Sequence, residues 1–193
     1  KSFIIVILFS FVFISDVTCG NKNKDTLHQE LNELVLIQAK YGNNSQGAPA
    51  LHYAVYQGDT RAVDLLLKYG ASPFSLDTKQ ANCLFYAVKG GRVDMVKKFI
   101  DYGVNINDFC GFHPCQGCGI SGAIIMNQLE VTKFLAAYGI YDEHELSDAL
   151  VGVLYSKFNF SQKKELIMLL IANGADINST VHGHRPLWHA SSG

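Results

Sequence analysis

In this chain of 193 residues, 16 Lys and Arg stand against 17 Asp and Glu, a formal charge of -1. That balance lacks the basic footprint of a nucleic-acid binder, and 48% hydrophobic with 17% charged residues excludes a disordered chain. The length suits one domain or a short repeat array, and five cysteines are too few for a miniprotein built on disulfides.

Lys1 is followed by an apolar run reaching Ile14, and the next charge is Asp16. A basic start, an apolar stretch of this length and small residues after it predict a secretory signal peptide over residues 1–19. Retained, the run would be an anchor, although a span needs roughly 20 apolar residues. A lipid on Cys19 is a third option, disfavoured by Asp16 where that signal wants an aliphatic residue. The protein is therefore expected to be secreted or periplasmic, and membrane-anchored only if this segment is uncleaved. Without residues 1–19 four cysteines remain, Cys83, Cys110, Cys115 and Cys118, an even set that an oxidising compartment permits to pair. Asn43, Asn159 and Asn178 head N-x-Ser/Thr sequons, which matter only in a eukaryotic secretory route.

Residues 20–43 read as a polar linker, Gly20 to Lys24, followed by a capping helix from Asp25 to Tyr41. Leu27, Leu31, Leu34 and Val35 are expected on its buried face. Beyond it the chain repeats itself. Ala50-Leu51-His52-Tyr53-Ala54-Val55 aligns with Cys83-Leu84-Phe85-Tyr86-Ala87-Val88 at a shift of 33, which also carries Gly58 to Gly91 and Lys68-Tyr69-Gly70 to Asp101-Tyr102-Gly103. A third copy, with Gly122-Ala123 and Leu129 to Gly139, arrives three residues late. A fourth has a first helix from Glu143 to Leu154, an aromatic-bearing loop from Tyr155 to Phe160, a second helix from Gln162 to Ala172, and an end at Gly174-Ala175-Asp176-Ile177-Asn178. Gly183 to Ala190 opens a fifth. The repeats fall at about 44–76, 77–109, 110–141 and 142–179, with a partial copy at 180–193.

Each unit predicts two short helices of 8–11 residues, separated by Gly58 or Gly91 and closed by Gly70, Gly103, Gly139 or Gly174, where a left-handed residue ends a helix. Val63, Leu66 and Leu67 share one face, with Leu51 and Ala54 opposite. Units of this size cannot bury their faces alone, so they must stack.

Gly47-Ala48-Pro49-Ala50-Leu51-His52-Tyr53-Ala54, Gly174 through Asn178 and Gly183 through Ala190 resemble the ankyrin repeat, over roughly residues 44–193. Pro49 stands for the family's Thr, Ala50 and Cys83 for its Pro, and Phe85, Ser121 and Trp188 for its His. The resemblance implies an all-α ankyrin solenoid of four repeats plus a partial fifth. It implies a protein-binding module, with a protein partner of unknown identity, no cofactor and no enzyme activity. A monomer is expected, with no nucleic-acid partner. His52 would be the repeat's structural histidine, bridging turn backbone groups.

By the same register, the concave face comprises turn tips and the exposed ends of the first helices: Ser45, Gln46, Ala48, Tyr56, Gln57, then Thr78, Lys79, Ala81, Lys89 and Gly90, then Ile125 and Met126. Tyr56, Ile125 and Met126 are apolar or aromatic where solvent is expected, as interface anchors are; the competing reading buries Ile125 and Met126 against repeat four. Phe74 and Leu76 sit at a predicted turn tip. The protein-binding candidates are thus Tyr56, Gln57, Phe74, Thr78, Lys79, Lys89, Ile125 and Met126.

Cys110, His113, Cys115 and Cys118 crowd into nine residues of the loop carrying the insertion. Three thiols and an imidazole suit zinc, but zinc sites usually separate their ligand pairs, so a disulfide between two of these three cysteines, leaving the third to Cys83, or unlinked thiols are the simpler readings. A metal- or redox-responsive loop is the alternative function. Another alternative is an accessory repeat segment of a longer protein, because the register stops inside a first helix. His182, His184 and His189 read as turn and helix residues of the fifth copy. His144, Ser147 and Asp148 share a helix face and read as surface residues, not a catalytic triad.

Overall fold

The computed structural model describes residues 21–42, 49–106, 119–138, 141 and 143–178, with side chains from Thr26 onward. Among these residues it is all-helical: α1 (Asn21–Tyr41), α2 (Ala50–Gln57), α3 (Thr60–Lys68), α4 (Cys83–Lys89), α5 (Val93–Asp101), α6 (Ile120–Ile125), α7 (Leu129–Ala137), α8 (Glu143–Tyr155) and α9 (Phe160–Ala172). Two rows result. First helices α2, α4, α6 and α8 lie side by side, and α3, α5, α7 and α9 form a second row behind them. The core runs between the rows through Leu51, Val63, Leu84, Phe99, Leu135 and Leu166, all essentially inaccessible. No row is wide enough to shield itself, so burial is shared between neighbouring units, as stacked repeats require.

The repeat register is carried by one recurring joint. Gly58, Gly91 and Asn127 each take a left-handed conformation, with φ of 75°, 67° and 57°. The next residue, Asp59, Arg92 or Gln128, N-caps the second helix and donates its N–H back to Ala54, Ala87 or Ala123. Its side chain then reaches the end of the preceding unit. Asp59 accepts from Tyr41 Oη at 2.8 Å, Arg92 Nε donates to the Tyr56 carbonyl at 3.3 Å, and Gln128 Nε2 to the Lys89 carbonyl at 3.0 Å. The Arg92 and Gln128 contacts each satisfy a carbonyl that a short helix otherwise leaves open at its C-terminal end, whereas the Asp59 contact joins two side chains. The small alanines let neighbouring first helices approach. The second helices close as expected, with Gly70, Gly103 and Gly174 at φ of 91°, 85° and 106°, each followed by a hydrogen bond back to Leu66, Phe99 or Leu170.

Helix α1 caps the array with a geometry that helical periodicity does not reveal. It starts at Asn21, inside the expected linker. Glu30 binds Lys68, Glu33 binds Arg61 and Lys40 binds Asp59, so α1 runs antiparallel to α3 and parallel to α2. This selects Ile37 and Tyr41 as its buried residues, with Leu27, Leu31 and Leu34 half-buried. Val35, expected inside, is half exposed. In α3 the fully buried leucine is Leu65, while Leu66 and Leu67 are only partly covered. Helices α4 and α6, with seven and six residues, are shorter than expected. Helix α9 begins at Phe160, two residues early, because Asn159 and Gln162 form a reciprocal capping box.

Candidate protein-binding surface

The turn between the first and second repeats is held by one carboxylate. Asp77 accepts from the N–H groups of Lys79 at 2.7 Å and Ala81 at 2.8 Å, and from Tyr86 Oη at 2.8 Å. Burial raises its pKa, but those hydrogen bonds outweigh burial and hold the carboxyl below its usual value. His52, fully buried, meets the Ser75 carbonyl through Nε2 at 3.0 Å and packs edge-on against Tyr86. Burial drives its pKa down, against the pull of Asp77 and the turn carbonyls, so the ring stays neutral. Only one side of the expected bridge is formed: Nε2 meets the turn, while the buried Nδ1 has no hydrogen-bond partner among the described residues. Cys83 lies in the same buried cluster as a free thiol, pushed up to about 12 by burial. Ala81, expected at the surface, is drawn inside by its bond to Asp77.

This scaffold holds Phe74, 57% exposed, and Leu76, 48% exposed, at the turn tip, with Thr78 and Lys79 also at the surface. Beside the turn stand the ends of α2 and α4. Gly90 lies so close that a Cβ there would sit 2.4 Å from the Tyr56 carbonyl oxygen. That approach places the Lys89 ammonium 5.9 Å from the ring centres of both Tyr56 and Phe85, within reach of a cation–π attraction. Tyr56 is half-buried and Gln57 exposed. In the third repeat the two competing expectations divide: Ile125 is 66% exposed, whereas Met126 is partly buried against the core.

Phe85, together with Tyr53, belongs to this patch although the sequence reading passed over it as a departure from the repeat's histidine. The available signal was chemical: an aromatic ring replaces a bridging His at a register position beside the surface, so it has no polar bond to make. Arg92 is an exposed cation at the same edge. Helices α2, α4 and α6 contain no carboxylate at all. The acidic groups nearby are committed: Asp77 is buried, and Asp59 is engaged by Tyr41, Lys40 and the Ala62 N–H. Among the described residues, the remaining carboxylates of the first three repeats, Asp64, Asp94, Asp101 and Glu130, lie on the second-row helices; Asp108 lies outside the described residues.

Ser147, read as a surface residue, is buried. Its hydroxyl donates to the Glu143 carbonyl at 2.6 Å and accepts the Asp176 N–H at 3.0 Å, tying α8 to the turn after α9. Among the described residues no cluster of His, Cys, Asp or Glu is arranged to hold a metal, and no helix is long and apolar enough to cross a membrane. Cys110, His113, Cys115 and Cys118 lie outside the described residues, as do residues 1–19, Asn43, Ser45, Gln46, Ala48, Gly139 and the copy at 180–193. Asn159 is the N-cap of α9, and Asn178 is exposed.

Two rows of short paired helices, joined by one recurring latch, define a helical repeat solenoid that presents turn tips and helix ends along one edge. Residues 18–110 match the family model for ankyrin repeats (3 copies). Over this stretch, just under half of its length, the chain is similar to ankyrin-repeat proteins, whose repeats are generally protein–protein interaction modules. It is 35% identical over 115 residues to mouse ankyrin repeat and SOCS box protein 14, covering 60% of this chain and 19% of that one. A putative ankyrin repeat protein of fowlpox virus is 29% identical over 149 residues, covering 74% of this chain and 24% of its own. A bovine protein named dynein axonemal heavy chain 12 is 38% identical over 113 residues, covering 58% and 30%. The chain thus spans less than a third of the length of these relatives.

Proposed function

We propose that this chain is an exported module that binds a protein partner through the edge formed by Tyr56, Gln57, Phe74, Thr78, Lys79, Lys89, Ile125 and Met126, without chemistry of its own. The observation that carries the reading is exposed apolar surface on a rigid frame: Phe74, Leu76 and Ile125 face solvent while Asp77, His52 and the Arg92 and Gln128 latches fix the backbone beneath them. A surface ordered in advance loses little freedom on binding, so more of its contact energy appears as affinity. Ile125 and Phe74 supply anchors of the kind that dominate interfaces, with Met126 as partly buried support.

Export rests on the apolar run near Lys1 and predicts a mature chain beginning near Gly20 or Asn21. The intact mass of protein from its native cells tests this; a mass retaining residues 1–19 contradicts it. We also read residues 180–193 as the opening of a further unit. Phe160, 84% exposed, and Ile171 stand on α9 away from Glu165, which turns back to Lys133 of α7, so an apolar end face is available to receive that unit. For binding, photo-crosslinkers at Gln57, Phe74 and Ile125 are expected to trap the partner in source cells, and crosslinkers at Asp101 and Met168 on the second row to trap little. The opposite distribution overturns the assignment.

A further inference from the structure

The charge along this edge specifies the partner further. Across the first three repeats the edge offers Lys79, Lys89 and Arg92, all exposed. No carboxylate occurs in α2, α4 or α6, and among the described residues the two beside them, Asp59 and Asp77, are occupied as described. Second-row helices show the reverse habit. Four of their seven lysines and arginines are neutralised by a neighbouring element, in Arg61–Glu33, Lys68–Glu30, Lys98–Asp64 and Lys133–Glu165, while Lys97, Lys163 and Lys164 form no ion pair among the described residues. Lys79 and Lys89 take part in none of the ion pairs formed among the described residues. Among the described residues, cations without an ion-pair partner, Lys79, Lys89 and Arg92, thus stand where apolar side chains are also exposed.

We propose that the occupant of this edge is an acidic protein segment carrying aliphatic or aromatic side chains, with carboxylates meeting Lys79 and Lys89 and apolar groups resting on Tyr56, Phe74 and Ile125. The inference rests on the binding edge proposed above and assigns its partner class. Electrostatic complementarity of this kind raises the association rate and excludes basic partners. Lys89 is well placed for it, exposed and with its ammonium 5.9 Å from the ring centres of Tyr56 and Phe85, so that a carboxylate and an apolar group can be met side by side. A single-stranded nucleic acid would meet the same cations and stack bases on Phe74, but it offers no aliphatic group for Leu76 and Ile125, so it fits less of the surface.

The test uses the full chain and four fluorescein-labelled probes: a 16-residue peptide alternating Glu-Asp with Leu-Phe pairs, the same peptide with Lys replacing each acid, oligoglutamate of equal charge, and a 20-nucleotide oligothymidine. Fluorescence anisotropy is expected to show the acidic-apolar peptide binding at least tenfold tighter than the other three. Lys79→Met and Lys89→Met should each weaken it roughly threefold to fivefold, as exposed ion pairs do, with loss at high salt. Lys97→Met on α5 should leave it unchanged. Equal or tighter binding of the basic peptide, weakened by Tyr56→Ala and Ile125→Ala, overturns the acidic assignment and leaves the edge standing. Oligoglutamate or oligothymidine binding as tightly as the acidic-apolar peptide overturns it as well. Binding of any probe that ignores Tyr56, Lys89 and Ile125 alike overturns both the partner class and the edge. Circular dichroism of each variant confirms that it is folded.

Discussion

Replacing Asp77 with Ala removes the acceptor of three donors at once: the Lys79 and Ala81 N–H groups and the Tyr86 hydroxyl. Lys79 is exposed and its N–H can turn to water, but Ala81 and Tyr86 are buried and lose their partner outright. A buried donor left unmade costs roughly 1–3 kcal/mol, so the expected loss is about 3 kcal/mol for Asp77→Ala and about 1.5 kcal/mol for Tyr86→Phe, which removes one bond. Because Tyr86→Phe acts only through Asp77, the double variant should be barely less stable than Asp77→Ala alone. Urea unfolding followed by far-ultraviolet circular dichroism measures all three. Acid adds a sign: the folded carboxyl titrates below its ordinary value, so its stabilising contribution is present above that value and is lost as pH falls through the folded one. Asp77→Asn should lack this dependence. A loss under about 1 kcal/mol for Asp77→Ala, or strict additivity with Tyr86→Phe, would refute the view that one carboxylate holds the turn.

Gly90→Ala should lower the melting temperature by about 4–8 °C, because the added methyl meets the Tyr56 backbone carbonyl and overpacking of this kind costs roughly 2 kcal/mol. Gly70→Ala, with open space around it but φ of 91°, should cost only roughly 1 kcal/mol from its left-handed backbone; equal effects would contradict the close approach of α2 and α4. His52 is held neutral by burial, with its folded pKa below the ordinary 6.5. The unfolded chain then takes up its proton first, so stability should fall as pH drops below about 6.5, and a His52→Gln variant should lose that part of the slope. The Cys83 thiol should resist alkylation in the native protein and react on unfolding, read by peptide mass mapping; rapid native labelling would contradict its burial.

What could be read from the residues alone was whatever the repeat states more than once. The shift of 33 locates Gly58 and Gly91, the left-handed joints before α3 and α5, but not the latches that Asp59 and Arg92 make beside them. His52, which the shift of 33 carries to Phe85, was legible only through the ankyrin resemblance. Contacts made once were not. Ala81 occupies a turn-tip register position, yet a carboxylate four residues earlier pulls it inside, and nothing in the repeat predicts Asp77. Val35 follows Leu34 on any plausible helical face, but the antiparallel run of α1 against α3, set by Glu30 and Glu33, rotates it outward. Ile125 and Met126 are neighbours of similar apolarity. Only the end of α6, where the chain turns at Asn127, separates the exposed one from the half-buried one. The candidate surface was thus visible in outline, while its charge asymmetry depended on knowing which carboxylates were already engaged.

The most direct measurement is the affinity of the partner captured by the Phe74 and Ile125 crosslinkers, determined by calorimetry for the native chain and for Tyr56→Ala combined with Ile125→Ala. With melting temperature and helical content unchanged, the double variant should bind at least tenfold more weakly, as loss of two anchors implies. Native affinity in a folded double variant would contradict the assignment of this edge as the binding surface.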